Sequence, residues 1–288
     1  MAPKSRASSK RQRGETSQAR EQPQAPTFER FQTAEAFGRY QRLMSTRSIR
    51  QERGLEIEVP ARWNWGPRFL AQPGDAFGTV VREFYANAKD GLQNNVCIVR
   101  GVQVDFSCAA INAYYGTIDH HGDDYYHRDL SVGMISRVWL NNIALSFNPA
   151  AEWNIRSGLA SHMDYKYFQP SDRAILDFIK AKLIPHSHKG NVRRDQVLLA
   201  YCIKEHKTID IGAIINRNIR ETADVKGRVY LGHSYLITHL CQLAGVPIDE
   251  SQEARVLPQS YLSQQYIATR YRLGQPPANG DDDDGMEL

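Results

Sequence analysis

Four apolar-striped segments follow one another between residues 171 and 247. Each opens on a residue able to cap a helix, and they are separated by only a few residues. Ser171 precedes Ile175, Leu176, Phe178, Ile179 and Leu183, with Pro185 as a stop. Asn191 precedes Val192, Val197, Leu198, Leu199, Tyr201, Cys202 and Ile203. Thr208 precedes Ile211, Ile214, Ile215 and Ile219, and Ser234 precedes Leu236, Ile237, Leu240, Cys241 and Ala244. Gly245 suits a left-handed helix end, and Pro247 blocks continuation. Apolar residues at helical spacing must bury that stripe, and short connections make neighbouring helices antiparallel. The stretch Trp153–Pro247 therefore reads as a packed helical module.

The first half is less regular. Phe28, Phe31, Phe37, Tyr40 and Leu43 recur near helical spacing, so residues 28–59 are expected to be helical, with Arg47 to Arg53 as a solvated basic face. Asp75 is the expected cap of a helix striped by Phe77, Val80, Val81, Phe84, Tyr85 and Ala88 and ended by Asn87-Ala88-Lys89-Asp90-Gly91. Val96, Ile98, Val102, Val104 and Phe106 flank Arg100-Gly101 and predict a β-hairpin. Ala109 to Tyr115 reads as a helix start, residues 116–129 as a polar loop, and residues 130–147 as a further apolar-spaced segment. The fold expected is mainly α within an α+β class: a helical bundle with one small hairpin and disordered ends.

Those ends carry opposite charge. Residues 1–20 hold six Lys/Arg and one Glu, and residues 281–288 hold four Asp and one Glu, so +5 and −5 cancel within a net charge of +4. The organisation expected is a disordered basic tail over 1–27 and a core over 28–250 with a potential subdivision near 116–150. A C-terminal helix, linker and acidic tail follow over 251–288. With 41% hydrophobic and 24% charged residues the chain is globular in composition. It has no apolar run long enough for a membrane span and no secretory h-region. Cys97, Cys108, Cys202 and Cys241 form no C-x-x-C pair. An intracellular protein of the nucleus or cytoplasm, reduced and not secreted, is expected.

Candidate chemistry concentrates in Asp119-His120-His121-Gly122-Asp123-Asp124-Tyr125-Tyr126-His127-Arg128-Asp129. His120, His121, Asp123, Asp124 and His127 are ligand types that a divalent metal accepts. They crowd one loop, however, without a visible supporting shell. Gly122-Asp123-Asp124 has the letters of a polymerase metal turn, but its flanks are His120-His121 and Tyr125-Tyr126 instead of apolar strands. His186-Ser187-His188 lacks a third ligand nearby, and Asp105 lacks the further strands and carboxylates of a two-metal scaffold. Arg62-Trp63-Asn64-Trp65 could stack bases but equally suits a core. No phosphate-binding loop, zinc knuckle or Asp-Thr/Ser-Gly occurs. Lys4, Arg6, Lys10, Arg11 and Arg13 are the candidate nucleic-acid contacts.

Several pieces in fixed order carry a family likeness: Val81-Arg82-Glu83-Phe84-Tyr85-Ala86-Asn87, Val99-Arg100-Gly101-Val102-Gln103-Val104, Trp153-Asn154-Ile155-Arg156 and Leu183-Ile184-Pro185-His186-Ser187-His188. They continue through Val197 to Ile203, Ile209 to Ile215, and Leu236 to Cys241 with Ala244-Gly245-Val246-Pro247. On these the chain resembles the putative plant transposon protein domain of plant retroelement-derived open reading frames, over roughly residues 35 to 250. Arg193 and Gln196 stand where that family tends to show a small hydroxyl residue and an arginine. The resemblance implies an origin in a mobile element and carries over no catalytic residue. The leading reading is a non-enzymatic binding or assembly module without a cofactor, gag-like or accessory, whose partners are nucleic acid or other element-encoded proteins. The alternatives are a metal-dependent nuclease or transposase-like enzyme using the Asp119–Asp129 loop, with a divalent metal as cofactor, and a degenerate element fragment without activity.

Overall fold

The computed structural model describes residues 26–56, 65–118, 135–185, 190–224 and 230–270. Ten α-helical segments and seven short strands occur among them. They are α1 (Ala34–Arg39), α2 (Pro67–Leu70), β1 (Ala76–Phe77), α3 (Gly78–Ala88), β2 (Val96–Val99), β3 (Val102–Asp105), α4 (Cys108–Tyr115) and α5 (Arg137–Phe147). They continue as β4 (Asn154–Arg156), β5 (Leu159–Asp164), α6 (Pro170–Phe178), β6 (Asn191–Arg193), α7 (Arg194–Lys204), α8 (Ile211–Asp224), α9 (Ser234–Leu243), β7 (Arg255–Val256) and α10 (Gln264–Arg270). The architecture is mainly helical with small antiparallel sheets, as the patterning implies. No helix among the described residues is long and apolar enough to cross a membrane.

Helix α3 is the hub. Val80, Val81, Phe84, Tyr85, Ala86 and Ala88 are all fully buried, and so are the polar Glu83 and Asn87. A helix buried over most of its surface must satisfy its inward polar groups from its neighbours. It packs against α1, β2, α8 and α9. Phe84 meets Phe106 edge-to-face at 5.5 Å. Helices α4 and α8 cross closely because Gly212 lets the two backbones approach. A Cβ there would lie 2.4 Å from the Cys108 carbonyl oxygen. Asn112 then bridges the pair, donating to Asp210 Oδ1 at 3.0 Å and accepting from the Gly212 amide at 2.8 Å.

The expected hairpin is β2–β3, with Val99 opposite Val102. Two further sheets were not anticipated. β1 pairs with β7 across some 180 residues, and β4–β5–β6 forms an antiparallel sheet in which Trp153-Asn154-Ile155-Arg156 leads into a strand and not a helix.

These pairings explain two of the misplaced helix starts, and local replacements explain others. Asp75 is not a cap, because Ala76 and Phe77 are drawn into β1 and the helix begins at Gly78. Asp75 instead pairs with Arg255 at 3.3 Å. Asn191 lies in β6, so α7 starts at Arg194. Ser171 gives way to Gln169, because Pro170 takes the first helical position. Thr208 gives way to Asp210, whose carboxylate accepts the Ala213 amide at 2.9 Å. Ser234 is the first residue of α9 and not its cap. Of the apolar segment over 130–147, residues 130–134 lie outside the described residues, and the rest holds α5, which starts at Arg137 and is capped by the Ser136 hydroxyl, which accepts the Trp139 amide at 3.1 Å.

The expected helix over 28–59 is also too long. Among the described residues of that span, a 3-10 turn (Phe28–Arg30), α1 and a π turn (Tyr40–Met44) are helical. From Arg47 to Glu56 the chain forms no helix, with Ile49 bridging Leu231 and Leu55 bridging Leu262. The stretch from Arg47 is accordingly not a solvated face: Arg47 is 7% exposed and Glu52 2%.

The close α4–α8 crossing gives a direct test. Gly212→Ala is expected to lose about 1–3 kcal/mol or more in urea unfolding through overpacking. Gly190→Ala, where an added Cβ meets nothing within 4 Å, is expected to change stability by less than about 0.5 kcal/mol.

Candidate functional site

Most of the residues singled out from the sequence for chemistry fall outside the described residues. This holds for Lys4, Arg6, Lys10, Arg11 and Arg13, and for His120, His121, Asp123, Asp124 and His127. His186, His188 and Trp63 fall outside as well. Among the described residues, no group of three or more His, Cys, Asp or Glu side chains is arranged to hold a metal. Trp65 is core: it is 6% exposed and meets Phe69 edge-to-face at 5.3 Å, which removes it as a stacking platform. Asp105 closes a local turn by accepting the Ser107 amide at 2.7 Å.

The described residues present a different constellation. Glu83 points from α3 into the interior, where an isolated carboxylate would be very costly. Two arginines neutralise it. Arg30 Nη1 donates to Glu83 Oε1 at 3.1 Å. Arg100 donates through Nε to Oε2 at 2.7 Å and through Nη2 to Oε1 at 3.2 Å. Arg100 also reaches the C-terminal segment, donating to Glu253 Oε1 at 2.6 Å and to the Pro247 carbonyl at 2.9 Å. One guanidinium thus fastens the hairpin tip to α3 and to the segment behind α9. The planar fork of arginine can do this, and a lysine ammonium could not match it.

Arg100 holds this position at a backbone cost. Arg100 and Gly101 form the tip of a two-residue hairpin with φ of +50° and +81°. This turn favours Asn-Gly, because φ > 0 costs an ordinary L-residue about 1–2 kcal/mol. The contacts of the guanidinium hold the strained turn in place. Burial alone would lower the Arg100 pKa, but the hydrogen bonds and charges of Glu83 and Glu253 outweigh it and raise it above the ordinary arginine value.

Beside this network opens a cleft of about 700 Å³, lined by Thr27, Arg30, Thr79, Arg100, Pro247 and Glu253, among others. Glu29 and Asp249 stand at its rim. Asp249 is held below its ordinary carboxylate pKa by the Ser251 hydroxyl and amide, which both donate to it. The four network charges cancel, so the rim carboxylates leave the cleft anionic. The arrangement suits binding. It offers charge and hydrogen-bonding groups at an open surface, but no nucleophile paired with a base.

A second polar group lies in the core. Glu52 Oε1 accepts the Tyr235 amide at 2.7 Å and so caps α9 from a residue 183 positions away. Its Oε2 lies 3.6 Å from Lys182 Nζ, and both side chains are at most 2% exposed. Lys182 sits on a π turn (Ile179–Leu183) and lies 5.5 Å from the Tyr115 ring centroid. Burial lowers its pKa, and the Glu52 charge counters that. His233 Nε2 lies 3.0 Å from Asn218 Oδ1, and burial followed by the Lys182 charge pushes its pKa down to about 3. These groups resemble catalytic parts by type, but they are sealed from solvent and hold the 45–56 segment against α9. No disulfide joins the four cysteines, and burial pushes the Cys241 thiol up to about 12 and that of Cys97 well above its usual value.

Sequence reasoning missed Glu83, Arg100, Glu253, Glu52 and Lys182. Two signals were available. Glu83 stands within the apolar run Val80, Val81, Phe84, Tyr85, and Arg100 occupies a turn position that favours asparagine. At the atypical pair Arg193 and Gln196, the Gln196 side chain accepts the Arg193 amide at 3.2 Å and donates to the Ile184 carbonyl at 3.3 Å. Gln196 therefore does the structural work of a capping residue.

Comparison with known proteins adds one finding. The model of a family described as "Putative plant retrotransposon-related domain" matches residues 62–247. No curated protein and no solved structure matches the chain.

Two outcomes are expected from this geometry. Arg100→Gly relieves about 1–2 kcal/mol of backbone strain but leaves buried Glu253 without its cation and Glu83 with Arg30 alone, a change that costs about 3–5 kcal/mol. Urea unfolding at neutral pH should therefore show a net loss of about 1–4 kcal/mol. A stabilised variant would mean that strain outweighs the ion pairs. His233 is neutral in the folded chain, whereas the unfolded chain protonates it below its ordinary value of 6.5. The unfolded state then binds more protons as pH falls from 6.5 towards 3, so stability is lost across that window and is complete above it. Thermal melts should show His233→Asn losing less stability than the parent between pH 7 and pH 4.

Proposed function

The chain belongs to the plant retrotransposon-related domain family, and from that premise we propose that it is a non-enzymatic binding and assembly module of a retroelement-derived protein. Its basic N-terminal segment contacts nucleic acid. One observation carries the non-catalytic part. Among the described residues, the deeply buried charges are matched by opposite charges, hydrogen-bond partners or aromatic faces. Glu83 meets Arg30 and Arg100, Glu52 meets Lys182, and Asp172 meets Lys204 at 3.0 Å. Buried Lys180 lies 5.0 Å from the Tyr165 ring centroid. Groups engaged in this way stabilise packing and are not poised to transfer protons.

The nucleic-acid part rests on composition. Lys4, Arg6, Lys10, Arg11 and Arg13 lie within thirteen residues that contain no acidic residue. Such a run binds phosphates by releasing counterions, without reading sequence. The partners on this reading are nucleic acid and other proteins of the element, and the setting is the nucleus or cytoplasm.

Fluorescence anisotropy with a labelled DNA duplex over a series of salt concentrations tests this reading. Five phosphate contacts give a log–log slope of about −4 to −5. Replacing the five cations by glutamine should abolish binding at low salt. Salt-independent binding would overturn the proposal. So would Mg²⁺-dependent nicking that is lost in Asp123→Ala/Asp124→Ala, which would establish the enzyme reading instead.

A further inference from the structure

Lys180 differs from the other buried charges. Glu83, Glu52 and Asp172 each meet an opposite charge, whereas Lys180, 7% exposed, forms no ion pair or hydrogen bond among the described residues. Its contact is the Tyr165 ring, whose centroid lies 5.0 Å from Nζ. Lys180 and Lys182 share the π turn Ile179–Leu183, a kind of turn that recurs at functional sites. Lys182 turns inward to Glu52, and Lys180 turns to Tyr165, where its ammonium is less enclosed. More cations gather at this ring. Arg173 Cζ also lies 5.0 Å from its centroid, and the Arg270 charge acts on the same phenol. Burial lowers the Lys180 pKa, Asp177 counters this, and the Arg50 charge lowers it further. Asp177 in turn lies 3.9 Å from Arg270 Nε. That leaves Arg50, Arg173 and Lys180 without an ion pair among the described residues. Like charges held together at a partly buried surface repel, and an anion between them removes that cost.

We infer that the surface where α6 and its π turn meet Arg50 is an anion site, and that it takes a phosphate group carrying two or more charges. The charge count favours that class. Three cations without ion pairs are not balanced by a single carboxylate, but a diphosphate balances them. The donors suit it as well. Lys180 supplies a point charge, and the guanidinium groups of Arg50 and Arg173 match phosphate oxygens in a fork. The Tyr165 hydroxyl makes no hydrogen bond among the described residues, and burial raises its pKa to about 12, so it stays protonated and able to donate at neutral pH. Two cations already lie over the Tyr165 ring, which disfavours it as a platform for a base. The recognised element is therefore the phosphate, whether free or carried by a nucleoside. The site lies on the folded core, and the inference does not rest on nucleic-acid contact by the N-terminal segment.

The test uses the full chain with Lys4, Arg6, Lys10, Arg11 and Arg13 replaced by glutamine, so that the N-terminal segment cannot hold the probe. Inorganic pyrophosphate and adenosine diphosphate are titrated against it separately by calorimetry at low salt. Saturable binding with a dissociation constant of about 1 mM or below is expected for both. Equal affinities assign the free anion as sufficient, and tighter binding of the nucleotide assigns a carried phosphate; either supports the site. Arg50→Gln and Lys180→Met should each weaken binding about tenfold, with unchanged thermal melts confirming the fold. Arg50 is only partly buried, so its variant keeps the test open should Lys180→Met unfold the chain. Arg137→Gln, at the exposed start of α5, should leave affinity within about twofold. Absence of saturable binding, or binding indifferent to Arg50→Gln in a folded chain, overturns the inference. Saturation by a hexaglutamate peptide and not by pyrophosphate would make this surface a contact for acidic protein and overturns it equally.

Discussion

The fold depends on how Glu83 is neutralised. A helix crossing the centre of a protein with a carboxylate on it is tenable only if cations come to that carboxylate. Here they come from two separate parts of the chain, Arg30 before α1 and Arg100 at a hairpin tip. Arg100 then carries the connection onward to Glu253 and Pro247. Four segments far apart in sequence are fastened at one point. The strained turn at Arg100, the burial of α3 and the position of the segment behind α9 are consequences of the same constraint. Glu52 repeats the device on a smaller scale by tying the 45–56 segment to the start of α9 and to Lys182.

The elements legible in the sequence were those specified locally. The α3 stripe, the β2–β3 hairpin around Arg100-Gly101 and the end of α9 at Gly245, with its φ of +83°, depend on neighbours within a few residues. What was not legible came from afar. Side chains near each helix start suggested Asp75, Asn191 and Ser234 as caps, but long-range pairing pulled two of them out of place and Glu52 displaced the third. Tertiary contacts override such local preferences because a cap is worth only about 1 kcal/mol. The π turns at Tyr40–Met44 and Ile179–Leu183 had no local signature at all.

The candidate site followed the same rule. Clustering in sequence drew attention to the Asp119–Asp129 loop and to the basic tail, because residues close in sequence are the ones a reader can see together. The network around Arg100 gathers residues 30, 83, 100 and 253, whose spacing hides their contact. A carboxylate amid apolar neighbours and an arginine at a hairpin tip are each unremarkable alone. Their meaning appears only when the fold places one against the other. For a family defined by descent from mobile elements, this makes the arrangement of charge more informative about binding than any short motif.

The central claim is that Glu83 and Arg100 act as one unit that holds the chain together. A double-mutant cycle on Glu83→Gln and Arg100→Gln, read by urea unfolding at neutral pH, measures it directly. The account requires a coupling free energy of about 1–3 kcal/mol between the two positions. Strictly additive losses, with coupling near zero, would contradict it.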